Sequence, residues 1–297
     1  MLGDLHLHTT RSDGSYAPLE AVREAKRRGL GYIGITDHDV TGGLEDAVAL
    51  GHMLGLVVIP GVEISAYDFK RRRKAHILGY GCAEPAPSVE RLCAPVLAAR
   101  DALTRKQVAT LAAAGYPISL GEVAAAAEGA RRLYKQHVMA ALTAKGAADG
   151  IRGEVYRAIF GPSGICRGEI EYADAFEALR AIHEDGGVAV LAHPGQFDSW
   201  ELLEELLEAG LDGVELYHET HSLEEHRRAL AAARKRPGLV LTGGSDDHGS
   251  FGSTTPMGDI RAPFGAFEAL VRAQSSRSNG SRIAEGRDLL RIHGTIP

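Results

Sequence analysis

The chain has 297 residues, of which 44% are hydrophobic and 24% charged, with a formal net charge of −6. That length suits one large α/β domain, alone or with a smaller insertion, and the negative balance argues against a dedicated nucleic-acid coat. The three cysteines, Cys82, Cys93 and Cys166, have no C-x-x-C spacing, which speaks against a disulfide framework and for a reducing compartment.

The first apolar run, Leu5 to Leu7, carries His6 and continues to His8. Strand side chains alternate with period two, so both imidazoles share one face, about 7 Å apart along the backbone, and can converge on one ion. A polar turn with Asp13 follows, then a helix over Pro18 to Arg28 with proline in its first turn and Gly29 at its end. Gly29-x-Gly31-x-x-Gly34 spells a dinucleotide fingerprint, but it leaves a helix and enters a strand, the reverse of the order that motif needs. Ile33 to Ile35 opens into Thr36-Asp37-His38-Asp39, a second helix spans Leu44 to Leu54, and Val57 to Ile59 runs through Pro60-Gly61 to Glu63. Ala75-His76-Ile77-Leu78 reads as a strand, with the basic run Lys70 to Lys74 at a hairpin tip, either a solvated turn or an attractor of anionic substrate.

From Pro95 to about Ile165 the chain is rich in Ala, Arg and Lys, with helical stretches at Ala98 to Ala114, Gly121 to Ala130 and Tyr134 to Lys145. This predicts a helical insertion. Alternation then resumes with a helix over Ala173 to Glu184 and a strand from Val188 to Leu191 that ends in Ala192-His193-Pro194. A helix over Trp200 to Ala209 leads to Val214 to Tyr217, ending in His218. After a helix over Leu223 to Arg234, Leu239 to Leu241 ends in Ser245-Asp246-Asp247-His248. A closing helix over Phe264 to Ala273 precedes a Ser/Arg/Gly-rich tail. The expected division is therefore a discontinuous barrel domain (1–95 and 166–273), a lid-like insertion (96–165) and a tail (274–297).

Seven apolar runs that end in His, Asp or Glu predict one polar site at one end of a barrel-like parallel sheet, in a multinuclear metalloenzyme. No basic-then-apolar leader and no run of about 18 apolar residues is present, so a cytoplasmic location with no membrane contact is expected.

The motifs Asp4-Leu5-His6-Leu7-His8-Thr9, Ser12-Asp13-Gly14, Thr36-Asp37-His38, Gly61-Val62-Glu63, His76, Ala192-His193-Pro194 and Gly244-Ser245-Asp246-Asp247-His248 resemble, in order, those of the PHP (polymerase and histidinol phosphatase) family. The chain looks most similar to the branch that dephosphorylates nucleotides or degrades short RNA. The resemblance implies an α/β fold, a distorted seven-stranded β/α (TIM-like) barrel with a helical insertion. It implies a first metal position at His6, His8, Glu63 and Asp246, a second at Asp13, His38 and His248, and a third at Glu63, His76 and His193. Two or three divalent ions are expected, Mn²⁺ first, with Fe²⁺ or Zn²⁺ as alternatives.

For substrate contacts the resemblance implies His221 as phosphate ligand or general acid, with Asp246 and His248 also at the chemistry and His218 as a weaker candidate. Gln196 stands where relatives often carry Arg after His-Pro-Gly. Lys135, two residues before His137, stands where the branch tends to place a phosphate-binding Arg. The expected activity is hydrolysis of a phosphomonoester of a small metabolite, foremost a nucleotide or nucleoside bisphosphate, with short single-stranded RNA as a larger candidate. The alternatives are a cyclic phosphate phosphodiesterase on a sugar or nucleotide and a histidinol-phosphate phosphatase. A non-catalytic domain of a larger assembly would be expected to lack ligands, and no obligate protein partner is implied.

Overall fold

The structure, a computed structural model, describes residues 1–252, 255–277 and 283. Most of the expected tail therefore lies outside the described residues. Among those described, no helix is long and apolar enough to cross a membrane.

Strands β1 (Gly3–Leu7), β2 (Tyr32–Ile35), β3 (Val57–Asp68), β4 (Arg73–Tyr80), β6 (Val188–Leu191), β7 (Gly213–Tyr217) and β8 (Val240–Gly243) follow one another around a barrel in that order. The ring closes where Leu7 bridges Asp247 in parallel and the His8 N–H donates to the Asp247 carbonyl at 2.9 Å. Helices α1 (Pro18–Arg27), α2 (Glu45–Leu54), α8 (Trp200–Glu208) and α9 (Leu223–Lys235) are the crossovers that parallel neighbours require, and α7 (Ala175–Glu184) leads from the insertion into β6.

The otherwise parallel sheet is interrupted at β4, which runs antiparallel to both β3 and β6, with the hairpin tip at the basic run, as expected. Its cause is the short connection from Asp68 to Arg73, which is a hairpin rather than a crossover. The reversal matters for the site. Because β4 runs the other way, its early residue His76 lies at the rim where the parallel strands end, paired in register with Ser65. A two-residue strand, β5 (Ala173–Asp174), pairs with β3 where a helix start was expected. Asp174 is extended because it caps α7, its carboxylate accepting from the Phe176 and Glu177 N–H groups.

Apolar strand residues Leu5, Val57, Ile59, Tyr80, Val188 and Val190 fill the barrel interior with Tyr32. Helix α10 (Ala266–Ser275) lays Phe267 and Leu270 onto that cluster, plugging the end opposite the histidines.

Between β4 and β5 the chain forms α3 (Pro87–Ala113), α4 (Leu120–Ala126), α5 (Lys135–Ala144) and α6 (Glu154–Phe160). Helix α3 runs straight through the expected boundary at residue 95, with Pro95 inside it. Its first half packs Val89, Cys93 and Val96 into the barrel's outer layer, and its second half gives Val108 and Leu111 to a separate cluster with Val138, Met139, Leu142 and Ile159. One helix serves two cores, the change falling between Val96 and Val108.

Candidate metal centre

The strand ends deliver their polar residues to a single buried cluster. His6, His8 and Glu63 are at most 1% exposed. The Nε2 atom of His8 lies 3.3 Å from Glu63 Oε2 and 3.1 Å from Asp246 Oδ1. His6 Nε2 lies 3.4 Å and 3.5 Å from the same two oxygens. A tetrahedral ion with bonds of about 2.1 Å separates its ligand atoms by roughly 3.4 Å, so these four residues are spaced to share one.

A second group joins His8, Asp13, His38 and His248. Asp13 Oδ1 lies 3.4 Å from His248 Nε2 and 3.9 Å from His8 Nδ1. A third group joins His38, Glu63 and His76. Glu63 stands between all three: Oε1 lies 2.8 Å from both His76 Nδ1 and His193 Nε2, and Oε2 lies 3.1 Å from His38 Nδ1. His193 thus sits on the Glu63 oxygen that faces His76, as the resemblance implies, while His38 also reaches this group.

The donor set fits divalent ions on two physical grounds. First, His6 Nε2, both nitrogens of His8, Asp13 Oδ1, His38 Nδ1, Glu63 Oε2 and Asp246 Oδ1 are buried without a hydrogen-bond partner. Buried polar atoms are ordinarily paired, and a cluster of orphans aimed at one another marks a place for a cation. Second, the cluster is short of positive charge. Burial alone would lower the pKa of His8, yet Asp246 and Glu63 push it up to about 10, and Glu215, Glu63 and Asp246 likewise raise His6. Bound cations would satisfy the field that otherwise draws protons onto these rings.

A buried layer beneath the ligands orients them. Glu215, fully buried in β7, sets Oε1 3.1 Å from His6 Nδ1 and accepts the His193 N–H on Oε2 at 2.8 Å. Sequence reasoning passed over it, although a charged residue inside Val214-Glu215-Leu216 is itself a signal, since a buried charge needs a partner. Asp37 accepts from the Thr9 N–H and hydroxyl and from the Ser12 hydroxyl, pinning the loop that presents Asp13. Asp4 accepts from the N–H groups of His6, Ser245 and Gly258 and from the Ser245 hydroxyl, tying β1 to the Asp246 loop. Burial raises its pKa to about 6 against those bonds. Asp39, His193 and Asp246 hold positive φ, an uncommon conformation for residues with a Cβ and one that gathers at functional sites.

His221, expected as phosphate ligand or general acid, is held by backbone groups at both ring nitrogens. Its Nε2 accepts the Gly195 N–H at 3.1 Å and its Nδ1 donates to the Leu216 carbonyl at 3.0 Å. With both nitrogens held by backbone, the ring anchors the His193-Pro194-Gly195 turn and has no free atom for a phosphate or a leaving group. His218 is better placed. Its Nδ1 lies 2.8 Å from Thr220 Oγ1 and 3.2 Å from the Thr220 nitrogen, and its Nε2 faces Asp246 Oδ2 at 3.4 Å. Against its burial, Asp246 and Glu215 raise its pKa.

Above the cluster lies a cavity of about 290 Å³. Asp13, His38 and His76 line it, as do Lys74, Arg100, Lys135, Gln196, Phe197, Tyr156 and Tyr172. The basic run resolves here into two parts. Lys70 pairs with Glu205, Arg71 with Asp68, Glu201 and Glu205, and Arg73 with Asp198, whereas Lys74 turns into the cavity, 5.2 Å from the Tyr172 ring centre. Lys135 lies over the Phe160 ring, and burial together with Lys74 and Arg100 lowers its pKa.

A barrel rim that converges buried imidazoles and carboxylates beneath a cation-lined cavity defines a metal-dependent hydrolase of anionic substrates. The PHP domain model matches residues 4–234, and the chain belongs to that family. It is 46% identical over 264 residues to the phosphoribosyl 1,2-cyclic phosphate 1,2-diphosphodiesterase of Eggerthella lenta, covering 89% of this chain and 100% of that one. It is 33% identical to the 3',5'-nucleoside bisphosphate phosphatase of Chromobacterium violaceum, covering 82% and 86%. A solved structure from Bifidobacterium adolescentis, assigned to the metal-dependent phosphoesterases, superposes with a TM-score of 0.84 at 28% identity and covers 91% of this chain and 96% of that one. The chain is accordingly a metal-dependent phosphoric ester hydrolase.

Proposed function

We propose that the chain hydrolyses a compact ribose derivative carrying two phosphates, and that the scissile one is a cyclic phosphate whose opening is followed by release of the resulting monoester phosphate. The observation that carries this reading is the cavity, with ligand-type residues Asp13, His38 and His76 on one side and the cations Lys74, Arg100 and Lys135 also in its wall. One phosphate meets the metals, and the cations match a second. The volume lies at the low end of the range for small-ligand sites, roughly 300–1,000 Å³, which suits a phosphorylated sugar without a base. The identity with the Eggerthella lenta enzyme supports the same choice. A nucleoside bisphosphate is the second reading. It shares the two phosphates, and Tyr156 and Tyr172 offer rings on which a base could stack.

In this reading His6, His8, Glu63 and Asp246 hold one ion, Asp13, His38 and His248 a second, and Glu63, His76 and His193 a third. The mixed imidazole and carboxylate set suits Mn²⁺, Fe²⁺ or Zn²⁺, and the oxygen at Asp13 favours Mn²⁺. Bound divalent ions supply neutralisation of the phosphate oxygens and acidify a water for attack near neutral pH. The chain's own groups do the rest. Lys74, Arg100 and Lys135 hold the remote phosphate, Gln196 borders the sugar, His218 keeps a proton at Nε2 for the leaving oxygen, and Glu215 holds His6 in line. The odd cysteine count without C-x-x-C spacing supports a reducing, cytoplasmic setting.

The test is a panel of phosphoribosyl 1,2-cyclic phosphate, nucleoside 3',5'-bisphosphates, nucleoside monophosphates and short RNA, assayed with Mn²⁺ for released phosphate. The bis-phosphorylated ribose compounds should give the highest kcat/KM, with the cyclic ester first. Monophosphates turned over as efficiently would refute the two-phosphate reading.

A further inference from the structure

The candidate ligands rest on different supports. His6 and Glu63 lie within β1 and β3, His8 follows β1 directly, and Asp246 lies in the loop after β8, which Asp4 ties to β1. Asp13 sits six residues beyond β1, and His38, bridged to Glu63, lies in the loop after β2; residues 129–137 of the insertion cover both loops. The Tyr134 hydroxyl donates to the His38 carbonyl at 3.0 Å, and Tyr134 itself is buried. Its own N–H donates to His137 Nδ1 at 3.1 Å, while the His137 ring hydrogen-bonds the Ser12 backbone, in the loop that carries Asp13. The Arg131 N–H donates to the Arg11 carbonyl. Gly129, at φ +91°, approaches so closely that a Cβ there would lie 3.0 Å from Thr10 Oγ1. From α3, Arg100 pairs with Asp39, the residue after His38, at 3.0 Å and lies over the Tyr134 ring.

We infer that this segment of the insertion assembles the metal position made by Asp13, His38 and His248, whereas the position made by His6, His8, Glu63 and Asp246 forms on the barrel without it. Tyr134 and His137 are the positioning residues. A ligand on an unsupported loop has to be ordered when the ion binds, and that entropy cost weakens affinity. Docking of the 129–137 segment orders both loops beforehand. The first position has other supports: His6 and Glu63 lie within strands, His8 follows β1, and Asp4 fixes the Asp246 loop to β1. The insertion therefore does more than cover the cavity: it determines how many ions the rim holds.

The inference rests on the ligand assignment proposed above, so the experiment separates the two. Tyr134→Phe, His137→Ala and their double variant are reconstituted with Mn²⁺, and bound metal per chain is measured by equilibrium dialysis and elemental analysis, with Asp13→Asn as reference. Far-UV circular dichroism and thermal unfolding establish that each variant is folded. The tight ion should remain in all of them. One further ion, the one that Asp13→Asn loses, should bind about tenfold more weakly in Tyr134→Phe, the scale on which groups behind a ligand act, and should be absent from the double variant at the concentration that fills the wild type. If Asp13→Asn loses that ion while the double variant binds it as tightly as wild type, the inference is overturned and the ligand assignment stands. Equal weakening of every ion in the double variant would also overturn it. Unchanged occupancy in Asp13→Asn would overturn the ligand assignment, and the inference with it.

Discussion

Glu215 Oε1 and His6 Nδ1 meet at 3.1 Å, both side chains fully buried, so the ring's other nitrogen, Nε2, is turned toward Glu63 and Asp246. A carboxylate behind a ligating imidazole fixes its tautomer and raises its basicity. Glu215→Gln keeps the shape but removes the charge, and should weaken metal binding by about 10–100-fold. A metal titration of the purified variant checks this, and wild-type affinity would reduce Glu215 to a packing residue.

Removal of the ions should abolish turnover, and Mn²⁺ should restore it, because the orphaned donors at the rim have no other evident employment. The measurement is phosphate release after exhaustive chelation with residual metal quantified. Full activity in a verified metal-free sample would sink the metal-dependent reading.

His8→Ala or Asp246→Ala takes away a shared member of the first group and should lower kcat at least about a thousandfold. Steady-state kinetics at saturating Mn²⁺ give the number. Losses under tenfold in both would mean that the chemistry lies elsewhere.

Lys135→Ala should cost roughly 1.5–3 kcal/mol in kcat/KM on a substrate with two phosphates, the scale of a charged hydrogen bond. The same change should matter much less on a simple monophosphate that does not reach the cations. Equal losses on both would show Lys135 acting on the scissile phosphate instead.

His221 and His218 should separate by leaving group. His218→Asn should slow poor leaving groups far more than p-nitrophenol, which needs little protonation. His221→Ala should instead lower the unfolding free energy by about 1–3 kcal/mol, the cost of unpaired buried backbone groups, and slow both substrates alike. Leaving-group dependence confined to His221→Ala would restore its role as proton donor.

Much of the rim was legible in the chain. His6-x-His8 needs only the two-residue strand period to put both rings on one face, and apolar runs ending in His38, His193, His218 and His248 needed only the rule that a barrel gathers its strand ends. The helical insertion was legible from composition, because strands have no place in so Ala-rich a stretch. The sequence by itself thus determined the barrel, the rim and the residue types that meet there, since each follows from local periodicity and chain order.

Tertiary structure decided the rest. The hairpin at 69–72 was legible, but the register that pairs His76 with Ser65 and so brings it to the rim was set only by the folded sheet. The continuity of α3 from the barrel layer into the insertion was invisible, because Pro95 does not stop the helix and each half packs against a different core. The fate of the basic run depended on acidic α8 residues about 130 positions away, which take Lys70 and Arg71 and leave Lys74 to the cavity. His221 and His218, three residues apart in one loop, look alike in sequence. Only the Gly195 N–H and the Leu216 carbonyl, which arrive from neighbouring strand ends, turn one into an anchor and leave the other facing Asp246. Hydrogen-bond partners are set by which backbone groups the folded chain brings within about 3 Å, and local pattern carries no record of that.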